Sequence, residues 1–273
     1  MAFKKHNGHQ RSYEIHDIPI KKRYSQNFLR DHNVTSAVLH AVHLNETTNV
    51  FEIGCGDGFL TRAILQEPLS RLWVFEIDVD WVNYVRSTIH DPRLTLLHTN
   101  ILDYNFSLME PHKPWVLLAN LPYQVTFPIL YTLQRNRHLL SEGVVMVQEE
   151  VAQKIVKTSG RGYGYPSLFL QRYFEWRLLM KVSPSAFYPS PKVFSRLMYF
   201  KPRAHVTPIE REAEFWHFIK ICFHQPRRTL KNNLAQSNYN LAWFSDHTLG
   251  LRAQQMAIDD FIDLWKMIIA HES

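Results

Sequence analysis

A chain of 273 residues, 45% hydrophobic and 21% charged with only nine glycines, has the composition of a folded globular protein, not of a fibre or low-complexity tail. Its apolar runs fall short of the ~20 residues that span a bilayer, and its two cysteines, Cys55 and Cys222, are too few for a disulfide framework or a zinc site. The formal net charge of +6, with fifteen histidines in reserve, admits a polyanionic partner.

Residues 1–24 are polar, basic and aperiodic, with Lys4, Lys5, Arg11, Lys21, Lys22 and Arg23 crowded together, and read as a basic N-terminal arm. Residues 1–29 carry no signal-peptide apolar stretch, so retention in the cytoplasm is expected, in keeping with the few cysteines. Both cysteines read as small buried side chains. Residues 30–43 set Val34, Val38, Leu39 and Val42 at helical spacing, with Asp31 or Asn33 as the cap. "NVFEIGCGDGFLTRAIL" then reads as strand, glycine turn and helix. The alternation continues with "RLWVFEID" (strand), "VDWVNYVRSTI" (helix), "RLTLLHTNIL" and "WVLLANLPY" (strands), "PILYTLQRN" (helix) and "GVVMVQEEVAQKIV" (strand into helix). Continuous apolar strands alternating with helices predict an α/β fold whose parallel sheet is covered on both faces. "FEWRLLMKV" and "SRLMYFKP", flanking a proline-rich loop, predict an antiparallel edge pair. Beyond residue 204 only helical patterns remain, which divides the chain into an α/β domain over 25–204 and a small helical domain over 205–273.

Three predicted strands end in residues suited to a nucleotide-like ligand. Gly54-x-Gly56-x-Gly58 follows the first strand, preceded by Glu52. A dinucleotide fingerprint would need glycine where Phe59 stands. The pattern present suits a sharp strand-to-helix turn whose bare backbone lies against a ligand, and it resembles motif I of the S-adenosylmethionine-dependent methyltransferases. Glu76 ends the second strand, where a carboxylate can accept from both ribose hydroxyls, while Asp78 reads as a helix cap. Asn100 ends the third, placed either to bond an adenine edge or to bond its own loop backbone. The fourth breaks at Asn120-Leu121-Pro122-Tyr123, which suits a tight turn, or a site that holds a flat base beside two acceptors. No metal site is expected: His40 and His43 fall on a predicted core helix.

Through "KKRYSQNFL", "FEIGCGDGFLT", "FEID", "NLPY", "SPSAFYPSPKV" and "QPRRTLKNNL" the chain resembles the rRNA adenine N6-dimethyltransferase family over nearly its whole length. "SQNFL" is common to a small-subunit branch and a large-subunit (23S) branch that confers macrolide resistance. "NLPY", the proline-rich loop and "RRTLKNNL" are similar to the small-subunit branch. The resemblance implies a Rossmann-like methyltransferase domain with a seven-stranded, mostly parallel sheet, and a small C-terminal helical domain that helps grip RNA. It implies S-adenosylmethionine as cofactor, and small-subunit (16S) rRNA or a pre-ribosomal small subunit as partner of a monomeric enzyme. The expected reaction is N6-dimethylation of two adjacent adenosines in the terminal hairpin of that rRNA.

Carried over by residue, Asn27 and Leu29 line the cofactor site with Gly54, Gly56, Glu76, Asn100 and Asn120. Asn100 stands where the family usually has Asp, keeping an acceptor but losing the charge. Cys55 and Asp57 depart from the usual Gly-Pro-Gly and read as tolerated backbone variation; Pro226 is also unusual and is expected to open a helix. The Asn120 side-chain oxygen and the Leu121 carbonyl are expected to grip the two N–H bonds of the target amine. Tyr123 and Phe187 would then stack on a base drawn out of its helix. Lys22, Arg23, Arg227, Arg228 and Lys231 are expected to meet phosphates. Against this stand a large-subunit enzyme, a non-catalytic RNA-binding assembly factor and a DNA methyltransferase, the last disfavoured by Leu121.

Overall fold

In the computed structural model, which describes residues 14–21, 24 and 26–272, the predicted alternation builds one seven-stranded sheet. Its strands are β1 Asn49–Ile53, β2 Arg71–Glu76, β3 Leu94–His98, β4 Trp115–Asn120, β5 Leu140–Gln148, β6 Phe174–Val182 and β7 Ser195–Pro202. They lie in the order β3-β2-β1-β4-β5-β7-β6. The first five are parallel, and β7 runs antiparallel to both β5 and β6, the edge pair expected from the proline-rich region. This is the Rossmann-like sheet the resemblance implied. The chain winds outward from β1 to β3 and then returns to β4, so the order reverses between β1 and β4. In open α/β sheets a ligand crevice forms at that reversal, beyond the carboxyl ends of the strands.

The central strands are apolar without interruption because both of their faces are covered. Successive residues enter opposite cores: Val50, Val116, Val144 and Leu118 face one, Phe51, Leu117, Val145 and Trp115 the other. The first core is closed by α1 His32–Leu39, α2 Phe59–Ile64 and α3 Val79–Thr88, through Val34, Ile64 and Val85. The second is closed by α4 Thr126–Arg135, α5 Glu149–Val156 and α6 Tyr165–Tyr173, through Leu133, Ile155 and Leu170. Asp31 caps α1 by accepting from the Asn33 N–H, and Asp78 caps α3 in the same way from Asp80. Helix α6 had no counterpart in the sequence reading. Gly160, Gly162, Gly164 and Pro166 crowd its start and hide its periodicity.

After Pro202 come α7 Glu212–Cys222, α8 Leu230–Leu234, α9 Asp246–Gly250 and α10 Ile258–Glu272. They extend the second core rather than forming a separate one. Trp216 of α7 stacks edge-on against Phe169 of α6 at 4.9 Å, and its indole N–H donates to the Tyr173 hydroxyl at 2.8 Å. Pro226 does not open a helix. It occupies the turn between α7 and α8, where the Arg228 N–H bonds the Gln225 carbonyl at 2.9 Å and proline's fixed φ suits the second position. Cys55 and Cys222 are both buried.

Candidate active site

The loops at the carboxyl ends of β1 to β4 enclose, with residues 24 and 26–29, a cavity of about 350 Å³. Asn27, Leu29, Gly54, Gly56, Glu76, Asn100, Asn120, Leu121 and Tyr123 all line it, so chain segments far apart in sequence converge there.

The floor is the glycine turn. Gly54 and Gly56 have φ of 77° and 52°, a region that side chains rarely tolerate. A Cβ on Gly56 would stand 2.8 Å from the Phe28 ring, whereas at Gly54 nothing lies within 4 Å, leaving bare backbone open to the cavity. Glu76 braces this turn: its carboxylate accepts from the Gly56 N–H at 3.1 Å and from the Asp78 N–H at 2.9 Å. Burial pushes its carboxyl above the usual range, and those two N–H groups oppose the shift.

Glu52, two residues before Gly54 on β1, was not assigned a role from the sequence. An acid inside the apolar run "NVFEI" was the available signal. Its side chain is 1% exposed, and burial pushes its carboxyl up to about 8. The Thr61 hydroxyl donates to Oε2 at 2.6 Å, while Oε1 has no hydrogen-bond partner among the described residues, and the residue lines the cavity. A buried polar atom left without a protein partner in this way marks the place of a polar ligand group.

One side of the cavity is a strap formed by the N-terminal segment. Lys21 pairs with Asp78 at 2.5 Å and Asp80 at 2.6 Å, and the Gln26 amide donates to Asp78 at 2.9 Å. Arg30 pairs with Asp57 at 2.9 Å, and the His16 ring stacks on Tyr84 at 4.5 Å with its Nε2 3.6 Å from Asp57. Asp57 is thus more than tolerated variation in the glycine turn, since it ties the strap down. Cys55 Sγ stands 3.8 Å from Glu76 Oε2, buried and pushed well above its ordinary pKa by burial. Lys22 and Arg23 lie outside the described residues.

The fourth wall is the Asn120–Tyr123 corner. The Asn120 amide N–H₂ donates to the Asn27 carbonyl at 3.2 Å. An amide facing a carbonyl must present its nitrogen, so Oδ1 points elsewhere and stays available as an acceptor. The Leu121 N–H bonds the Met146 carbonyl at 3.1 Å, and the Tyr123 hydroxyl bonds Ser195 Oγ at 2.7 Å, fixing the ring.

Other expected residues fall differently. Phe187 is 4% exposed, is paired with Leu29 in a two-residue antiparallel ladder and belongs to the core behind the cavity. Its ring packs in the same cluster as Leu29, and Leu29 itself lines the cavity. Asn100 borders the cavity, yet its oxygen accepts from the Leu102 N–H at 3.1 Å and its nitrogen donates to Asp103 at 2.8 Å. The second of the two roles considered is thus made, and it leaves one lone pair of the oxygen for the first. Arg227, Arg228 and Lys231 lie outside the cavity on the α7–α8 turn and the start of α8, all exposed. Among the described residues no acid–histidine–cysteine group could hold a metal, and no helix is long and apolar enough to cross a membrane.

A sheet of this order with a glycine turn after its first strand is the scaffold of the S-adenosylmethionine-dependent methyltransferases, and the chain is one of them. The bare Gly54 backbone and the buried acids Glu52 and Glu76 that line the cavity fit a ligand carrying hydroxyl and amino groups, as that cofactor does. Residues 18–270 match the family described as ribosomal RNA adenine dimethylase, so the chain belongs to that family and is an rRNA adenine dimethyltransferase. Among its relatives are the ribosomal RNA small subunit methyltransferase A of Chlorobium phaeobacteroides, 34% identical over 94% of each chain, and that of Chlorobium luteolum, 35% identical over 94% of this chain and 92% of the other. A dimethyladenosine transferase from Plasmodium falciparum shares the fold, with a TM-score of 0.72 at 20% identity over 90% of this chain and 97% of that one. So does the 23S rRNA methyltransferase ErmE, with a TM-score of 0.65 at 20% identity over 89% and 100%.

Proposed function

We propose that this enzyme N6-dimethylates two adjacent adenosines in the 3'-terminal hairpin of small-subunit rRNA. It would act in the cytoplasm as a monomer on that rRNA or on a pre-ribosomal small subunit. Support for this branch comes from relatives at 34–35% identity named for the small subunit, whereas the likeness to ErmE concerns the fold alone. The observation that carries the chemistry is the Asn120–Asn27 bond, which holds the Asn-Leu-Pro-Tyr corner on the same cavity as the glycine turn.

The exocyclic amine of adenine is a weak nucleophile because its lone pair is delocalised into the ring. Asn120 Oδ1 and the Leu121 carbonyl accept from its two N–H bonds, localise that pair and aim it. Tyr123, held by Ser195, stacks on the extruded base, a contact worth ~1–3 kcal/mol. Bound S-adenosylmethionine supplies the methyl group as an electrophilic sulfonium carbon. Asn27, Leu29, Gly54, Gly56 and Glu76 hold it, and Asn100 lies at its adenine end through whichever lone pair the loop bond leaves. The methylated nitrogen becomes acidic, so no strong general base is needed. Residues 25–204 are the catalytic unit, and 205–273, with Lys22 and Arg23 of the arm, grip phosphates.

The test is methyl transfer from labelled donor to small-subunit particles, large-subunit particles and duplex DNA, with the modified adenines mapped. Label confined to adjacent small-subunit adenosines is expected, and Asn120→Ala is expected to lower turnover at least about a hundredfold at similar RNA affinity. Normal methylation by that variant removes the basis for the corner's role.

A further inference from the structure

The loop between β6 and β7 exposes large apolar side chains that the site above does not use. Tyr188, Val193 and Phe194 are 43%, 43% and 46% exposed within seven residues. Exposed apolar side chains gathered on one loop among polar groups mark a candidate interaction surface. Its rim is cationic. Lys181 Nζ sits 4.3 Å from the Phe194 ring centroid, and Lys192 is exposed beside it, while the nearby Glu149 is already engaged by Arg196 at 2.8 Å.

Both ends of this loop are tied to the cavity. Tyr188 pairs with Phe28, a cavity-lining residue, in the short ladder. Phe194 directly precedes Ser195, whose hydroxyl holds Tyr123, and the Phe194 carbonyl accepts from the Glu149 N–H at 2.9 Å, which pins the backbone. Phe194 is thus the chain neighbour of the residue that fixes the stacking tyrosine, exposed where Ser195 is buried.

We propose that Phe194, with Tyr188 and Val193 beside it, is a stacking shelf for the single-stranded nucleotide that flanks the extruded adenosine, and that Lys181 and Lys192 meet its phosphates. The proposal rests on the reading of Asn120–Tyr123 as the adenine site. An aromatic face needs no particular base, and a lysine beside it favours a polyanion over a neutral apolar partner. The shelf thus positions the strand without reading sequence.

The test compares wild type, Phe194→Ala and Phe194→Trp as full chains, using hairpin RNA with 2-aminopurine beside the target adenosine. Expected are quenching of the 2-aminopurine by wild type, a KM for RNA about tenfold higher in Phe194→Ala with a much smaller change in kcat, and recovery in Phe194→Trp. S-adenosylhomocysteine affinity, measured in parallel, reports whether the cavity is intact. An RNA KM equal to wild type in Phe194→Ala overturns the shelf. So does a loss seen only with ribosomal particles and not with naked hairpin, which assigns the patch to a protein partner, or a wild-type dimer in sedimentation that Phe194→Ala dissolves. Absence of adenine methylation by wild type on any RNA would instead sink the parent reading.

Discussion

Glu52 is an acid sealed inside a strand, and its effect on the protein is thermodynamic as well as chemical. Burial holds its carboxyl at about 8 in place of the ordinary 4.5. Below the ordinary value, folded and unfolded chains are both protonated there and no difference arises. As pH climbs from about 5 to 8 the unfolded chain releases the proton while the folded chain keeps it, so stability falls; above that window the penalty is complete and flat. Glu52→Gln is expected to flatten the decline of the melting temperature across this range, measured by calorimetry at several pH values. A slope equal to that of wild type would refute the assignment. Gly54, Glu76, Asn120 and Tyr123 were readable in the sequence because each sits in a contiguous motif at a strand end. The open oxygen of Glu52 and the burial of Phe187 were not, because they depend on packing against Thr61 and Leu29, segments that no local pattern brings together.

At the scale of elements, the strap makes the cavity a joint product of the N-terminal segment and the sheet. Asp57 and Asp78 are its two anchors, each drawing on charged or amide groups from residues 16–30. Asp57→Asn keeps the shape and removes the charge that holds Arg30. With Arg30 31% exposed, the pair contributes on the order of 1 kcal/mol, so S-adenosylhomocysteine should bind about fivefold more weakly. Calorimetric titration checks this, and an affinity that matches wild type would free the strap of any part in holding the ligand. All seven strands were legible, since uninterrupted apolar runs and turn residues suffice to mark them. Helix α6 was not, since glycines and a proline obscure its first turn. Asp78 was legible as a cap, but its second partnership with Lys21, 57 residues away, belongs to tertiary structure.

Over the whole molecule, the change of composition near residue 204 suggested two units, yet the C-terminal helices share one apolar cluster with the sheet. Which helix faces meet across that boundary is not written in either segment alone. The shared core gives the basic turn a fixed position. Asn233, 5% exposed, donates to the Cys222 carbonyl at 2.9 Å and accepts from the Gln225 N–H at 3.0 Å, bracing from beneath the turn that carries Arg227 and Arg228. Both arginines are exposed, so reversing their charge leaves the core untouched. Arg227→Glu with Arg228→Glu is expected to weaken RNA binding and to reduce the slope of log affinity against log salt by about 1–2, with the melting temperature held. Filter binding across a salt series decides it; an unaltered slope would place the phosphates elsewhere.

The bond between the Asn120 nitrogen and the Asn27 carbonyl also bears on both ligands at once. On the proposed reading, the Asn27 backbone that would wall in the methyl donor also orients the acceptor offered to the purine. A shift of that one segment would then disturb donor and purine binding together, so a substitution felt by one is felt by the other.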